Sequence, residues 1–164
     1  MSELNRLVTE YTHQLQQGKI QIAYRGILDF LGKLRAAIMK NHPAFEAGNL
    51  YQGRLDMSFF SLSTAVLKRA GLKVVVVYQH ESGQFELWLS ARNRATVERF
   101  GTLAGDVAQG EAAAIPDPDN RDAMVTARLV TEPDFDDPAG LIRIIDQRVG
   151  AFVLTVEKSL QNGC

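Results

Sequence analysis

Apolar residues recur along this chain with two different periods, and the change from one to the other separates helical from extended segments. Near the N-terminus Leu4, Leu7, Val8, Tyr11 and Leu15 return at intervals of three and four, which stacks them on one side of a helix. Gln17-Gly18 supplies the stop, because glycine accepts the left-handed geometry of a helix C-terminus without steric cost. A second, longer helix is predicted over about 20–40, with Ala23, Ile27, Phe30 or Leu31, Leu34 and Ile38 as its apolar stripe. Asn41-His42-Pro43 ends it, since the residue before proline is pushed out of helical geometry. Gly26 and Gly32 fall inside this helix and are expected to let a neighbouring helix approach closely.

Between 49 and 94 the period becomes two. Leu55, Met57 and Phe59 alternate with Arg54, Asp56 and Ser58, which predicts a strand that buries the first set. Ser63 is placed to cap a short helix ending at Ala70, and Gly71 closes it. Residues 72–78 are a β-branched run that reads as an interior strand, His80-Glu81-Ser82-Gly83 is turn material, and 84–89 alternates again. A hairpin with this turn pairs Gln79 with Gln84, Val77 with Glu86 and Val75 with Trp88. Side chains alternate between the faces of a strand, so Val74, Val76, Tyr78, Phe85, Leu87 and Leu89 share an apolar face. Val75, Val77, Glu86 and Trp88 share the other.

Residues 92–105 read as a helix with Ala95, Phe100, Leu103 and Ala104 inward, and 105–122 as a loop without clear period. Loops of that length are uncommon in compact domains. A further strand is expected over 123–131. Asp137-Pro138 then opens a last helix, with an oxygen acceptor at the cap and a preset φ just inside. Its stripe is Leu141, Ile145, Val149, Phe152, Val156 and Leu160. The expectation is a single α+β domain over 1–164: an antiparallel sheet of about four strands (roughly 49–60, 72–79, 84–90 and 123–131), with helices packed mostly on one face.

Composition narrows the function classes. With 18 basic against 19 acidic residues the net charge is −1, so no global field draws in nucleic acid or an anionic membrane. Cys164 is the only cysteine, which excludes an internal disulfide framework and a cysteine-rich zinc site. The N-terminus lacks the uninterrupted apolar core of a signal peptide. The longest aliphatic run, 74–77, is far too short for a bilayer. A soluble, cytoplasmic protein without a membrane partner is expected. His13, His42 and His80 show no metal-ligand spacing, and each is expected to be solvated; no metal site is expected, and any cofactor is left open.

The candidate site follows from the mixed face of the hairpin. If Asp56 alternates away from Leu55 and Met57, it falls on the side of Glu86. Asp56, Glu86 and Trp88 then line a pocket, with Tyr51, Arg92 and Arg94 near its rim. Carboxylates beside apolar walls have raised pKa values and serve as acid or base, and two of them can hold a hard cation. The competing expectation is that both carboxylates pair with arginines while Trp88 packs under a helix, because ion-pair networks outnumber catalytic sites. An Asp on one strand and a Glu on the next hairpin also suits metal-dependent nucleases. Those need a lysine two residues beyond the Glu, where this chain has Trp88. No glycine elbow surrounds Ser58, Ser61 or Ser63.

At AYRGIL (from Ala23), YQGRLDMSFF (from Tyr51) and LKVVVVYQHESGQFELWLSARNR (from Leu72) the chain resembles a bacterial family, the domain-of-unknown-function family numbered seven thousand, over roughly its first two thirds. The blocks around Asp56-Met57 and Phe85-Glu86-Leu87-Trp88-Leu89 carry the likeness. That resemblance implies no activity. Two function classes therefore stand: a small-molecule-binding or protein-interaction module, and, as the alternative, an enzyme using Asp56 and Glu86. A homodimer joined through a helical face is a further expectation, since long amphipathic helices flank the sheet at both ends of the chain.

Overall fold

Both ends of the chain are helical. In the computed structural model, which describes residues 2–100, 102–110, 114–116 and 123–162, α1 spans Glu3–Gln16 and α2 spans Lys19–Asn41. The Ser2 hydroxyl caps α1 by accepting the Asn5 N–H at 3.3 Å. Gly18, at φ 74°, turns the chain between the two helices in a region that glycine enters without steric cost. Then come β1 (Glu46–Ala47), β2 (Met57–Ser63), α3 (Ala65–Ala70), β3 (Leu72–Gln79), β4 (Gln84–Ala91), α4 (Arg94–Arg99), α5 (Leu103–Gly110), β5 (Ala114–Pro116), β6 (Val125–Val130) and α6 (Pro138–Asn162).

Among the described residues the strands form one antiparallel sheet in the order β1-β2-β3-β4-β6-β5. The fold is α+β, with six strands where about four were expected. The two extra ones, β1 and β5, are two and three residues long, too short to show a period. The hairpin pairs as its alternation requires: Gln79 with Gln84, Val77 with Glu86, Val75 with Trp88. Its apolar face joins Phe30, Leu31, Leu34 and Ile38 of α2 and the whole predicted stripe of α6 in one buried cluster. Leu67 of α3 and Leu103 and Val107 of α5 belong to the same cluster, so the helices that contribute to the core cover one face of the sheet. Each such side chain contributes about 1.5–3 kcal/mol when fully buried. At the start of α6, Asp137 Oδ1 accepts the Gly140 N–H at 3.1 Å, the predicted cap.

Several expectations are corrected. The strand expected over 49–60 begins only at Met57, and it buries Ser58, Phe60 and Leu62 instead of Leu55, Met57 and Phe59. Gly53 at φ 79° and Leu55 at φ 67° bend the chain just before β2 and remove Leu55 from the ladder. Apolar residues occupy both phases of 57–62, so alternation left the phase open. The cap of α3 is Thr64, whose hydroxyl accepts the Leu67 N–H at 3.2 Å, one residue beyond the Ser63 expected. The helix predicted over 92–105 is two helices. Asn93 Oδ1 holds the N–H and hydroxyl of Thr96 at 2.9 and 3.0 Å, which buries Thr96 and leaves Ala95 exposed; the Ala104 side chain lies outside the described set. Of the loop expected over 105–122, α5 and β5 take part, and 111–113 and 117–122 lie outside the described residues. A Cβ at Gly26 or Gly32 would meet nothing within 4 Å, so neither glycine serves close helix packing.

One end of the chain stays uncovered. No residue of α1 is buried, and Leu4, Leu7, Val8 and Tyr11 are 68, 52, 50 and 58% exposed. The first turns of α2 continue this, with Ile20 at 40% and Ile22 at 72%; burial on α2 starts at Phe30.

Candidate functional site

Glu86 and Trp88 sit two apart on β4 and therefore share a face. Trp88 Nε1–H donates to Glu86 Oε2 at 2.8 Å, and Gln79 Nε2 reaches the same oxygen at 3.5 Å. The indole is 7% exposed and packs with Val75, Val77 and Ala123, with Met57 and Phe59 against them. No helix contributes to that cluster among the described residues, so Trp88 does not lie under a helix as the competing expectation had it. Buried, with its only polar atom paired, the ring lends little surface to a ligand. Arg128 stands across the ladder from Glu86, yet none of the ion pairs among the described residues involves Glu86 or Asp56. The expected arginine partners are thus absent from those residues.

Asp56 belongs to the bend before β2. Its Oδ1 accepts the Arg54 N–H at 2.8 Å, and the backbone N–H groups of Arg54, Met57 and Asp56 itself hold the carboxyl below its ordinary value. The Asp56 carbonyl accepts the His80 N–H at 2.9 Å, so Asp56 stands opposite His80, whereas Glu86 stands opposite Val77. Three rungs of the ladder, about 10 Å, and two strand spacings, roughly another 9–10 Å, separate the two residues. The structure does not bring them together, because the phase of β2 is the reverse of the one expected. Tyr51 bridges to Phe59 and packs on its ring at 4.8 Å, on the same rung as Glu86 but three strands, about 14 Å, from it. Arg92 and Arg94 lie past the other end of β4, where Arg92 N–H donates to Gly71 O at 2.8 Å. Arg94 is an exposed partner of Glu98 at 3.8 Å. From Glu86 to Arg92 the extended chain covers about 20 Å. The six candidates thus fall into three groups.

A polar cluster that sequence reasoning missed holds the 52–56 bend in place. Ser58 Oγ, fully buried, lies 2.5 Å from the Gln52 carbonyl and 2.8 Å from His80 Nε2. A carbonyl only accepts, so the single hydroxyl proton goes to Gln52, and His80 must carry its proton on Nε2 and donate it to Ser58. A nucleophilic pair needs the opposite direction, with the hydroxyl donating to the imidazole. Tyr24 of α2 donates to the same Gln52 carbonyl at 2.9 Å, and its ring stacks on His80 with centroids 5.4 Å apart. Tyr78 meets the imidazole edge-on at 5.1 Å. Burial holds the His80 pKa below its ordinary value, against the opposing pull of Asp56; burial likewise raises that of Tyr78. A Cβ at Gly53 would come 1.9 Å from the Met57 carbonyl, so only glycine fits there.

His42 is the second histidine that is not simply solvated. Its Nε2 lies 3.0 Å from Asp146 Oδ1, and its ring stacks on Phe45 at 4.5 Å. Asn41 donates to the other Asp146 oxygen at 3.3 Å, which ties the end of α2 to α6. The histidine partners are 22 and 104 residues away in sequence, beyond the reach of any local pattern. His13 alone matches the expectation of an exposed ring. Among the described residues no three His, Cys, Asp or Glu side chains are grouped to hold a metal ion, and none of the helices is long and apolar enough to cross a membrane.

Residues 4–160 match the model of a protein family described as Domain of unknown function (DUF7000), so the likeness continues through α6 and does not stop after the first two thirds. No curated protein and no solved structure matches the chain.

Proposed function

We propose, for a chain that belongs to this family of domains of unknown function, a role as a protein-interaction module that offers the apolar side of α1 and the first turns of α2 to a partner. The observation that carries the reading is the exposure of Leu4, Leu7, Val8 and Tyr11 on one side of an otherwise polar helix. An isolated helix of this length is marginal in water, and in proteins most helical stability comes from packing its apolar face. Helices of this kind are typically laid into the groove or onto the helix of another protein.

Charge argues for a protein as the occupant. Glu3 and Glu10 balance Arg6 and Lys19 on this surface, whereas helices that lie on anionic membranes carry an excess of lysine and arginine on the polar side. Nucleic acid would call for the same basic surface. The single cysteine, Cys164, is in keeping with action in the reducing cytoplasm. The enzyme alternative finds less support, since Asp56 and Glu86 are apart and the Ser58 proton is committed to a carbonyl.

The reading is tested by placing a photo-crosslinking residue at Tyr11 in the producing cells, with exposed Lys73 of β3 as the control position. A discrete protein adduct at Tyr11 and none at Lys73 is expected. Absence of an adduct at Tyr11 overturns the proposal.

A further inference from the structure

We infer that the first turns of α2 form a hinged arm. Tyr24 latches them, and α1 with them, to the sheet, and Gly26 is where the helix bends when the latch opens. Little else holds the arm. Among described residues 2–26, Tyr24 alone has a side-chain hydrogen bond or ring contact to the body: it donates to the Gln52 carbonyl at 2.9 Å and stacks on His80 at 5.4 Å. Ile27 is the first residue of α2 to pack against the core, and Phe30 is the first to be buried.

Gly26 stands between the latch and the core. A Cβ there would meet nothing within 4 Å, so packing gives no reason for a glycine, and what remains is its effect on the backbone. Glycine weakens a helix interior more than any residue except proline, and hinges fall at the few positions that absorb a change in φ and ψ. Segments with few buried contacts are also the ones that open most easily. Gly32 has the same open surroundings, but Leu31 and Leu34, both fully buried, hold the helix on either side of it. The bend therefore falls at Gly26.

Opening the latch leaves the body intact. The Gln52 carbonyl has two lone pairs, one taken by Ser58 Oγ at 2.5 Å and the other by Tyr24. When Tyr24 leaves, Ser58 and His80 still fasten the 52–56 bend. The latch thus sets the direction in which the α1 stripe points without being part of what folds the sheet. It belongs to the free chain, so it stands or falls apart from the interaction role proposed above.

Spin labels at Lys19→Cys and Lys73→Cys, in a Cys164→Ser background, report the distance from the start of α2 to β3 by double electron–electron resonance. Both sites are exposed, and Lys19 follows the Gly18 corner, so freedom at that corner does not enter the measurement. One narrow distance is expected. Tyr24→Ala should broaden it at least twofold, and adding Gly26→Ala should narrow it again, because alanine stiffens the helix. Tyr24→Phe keeps the ring on His80, loses only the hydrogen bond and should broaden the distance less. A broad distribution before any substitution overturns the latch, as does an unchanged width in both Tyr24 variants. A width that Gly26→Ala does not reduce overturns the hinge.

Discussion

Helix α6 lays Leu141, Ile145, Val149, Phe152, Val156 and Leu160 against the sheet and α2, and every one of them is buried. Helix α1 carries a stripe of the same spacing and residue type, Leu4, Leu7, Val8, Tyr11 and Leu15, and buries none of it. The difference lies in what each helix finds opposite. For α6 it is the apolar side of the hairpin, formed by Val74, Val76, Tyr78, Phe85, Leu87 and Leu89; for α1 it is the Gly18 corner, where the Leu15 carbonyl accepts from Gly18 N–H and the Gln21 amide. An amphipathic period states that a face is suited to burial. It does not state that the burying surface belongs to the same chain.

The sharpest test of this contrast is a pair of truncations. Phe152→Ala, at a residue 1% exposed, should cost about 3–5 kcal/mol in urea denaturation. Tyr11→Ala, at a residue 58% exposed, should stay within about 0.5 kcal/mol. Equal losses would break the division into covered body and uncovered arm. Gly53→Ala comes next, since it forces a side chain into the left-handed region against the Met57 carbonyl; a loss of about 1–3 kcal/mol or more is expected. Ser58→Ala should cost about 1–3 kcal/mol, because it leaves His80 Nε2–H without its acceptor in a half-buried site. On the arm the sign reverses. Gly26→Ala, in a helix interior with open space around it, should raise stability by about 0.5–1 kcal/mol.

The smallest effect is a pH dependence confined to the body. Burial favours neutral His80, so below the ordinary imidazole value of 6.5 the unfolded chain binds more proton than the folded one. Stability is then full above that value and declines as pH falls through the lowered folded pKa. Asp56, held below 3.8 by backbone N–H groups, contributes stability that is lost only at more acid pH. The melting temperature should therefore fall between neutral pH and about 5, and His80→Gln should flatten that part of the profile. An unchanged slope in His80→Gln would mean that another group carries it.

Much of the body was legible because it rests on neighbours close in sequence. The hairpin register follows from a β-branched run, an alternating run and the four-residue turn between them, and Asp137-Pro138 announces α6 within a single turn of helix. The Glu86–Trp88 contact was legible for the same reason, since residues two apart on a strand share a face. Asp56 was misplaced because β2 has apolar residues in both phases, Met57 and Phe59 in one and Phe60 and Leu62 in the other. The bend at Gly53 and Leu55, fastened by Ser58, His80 and Tyr24, selects the phase. That clasp draws on α2, β2 and the hairpin turn, three segments that meet only when the sheet is assembled.

Local order, then, was determined by the sequence itself: helix or strand, hairpin register and the α6 cap, each governed by steric and hydrogen-bonding preferences that act within a few residues. Tertiary structure alone decided the phase of β2, the separation of Asp56 from Glu86 and the direction of the Ser58–His80 hydrogen bond. It also decided that the stripe of α1 stays open while that of α6 closes. Burial is set by which surfaces meet across the folded chain, and no residue's near neighbours carry that information.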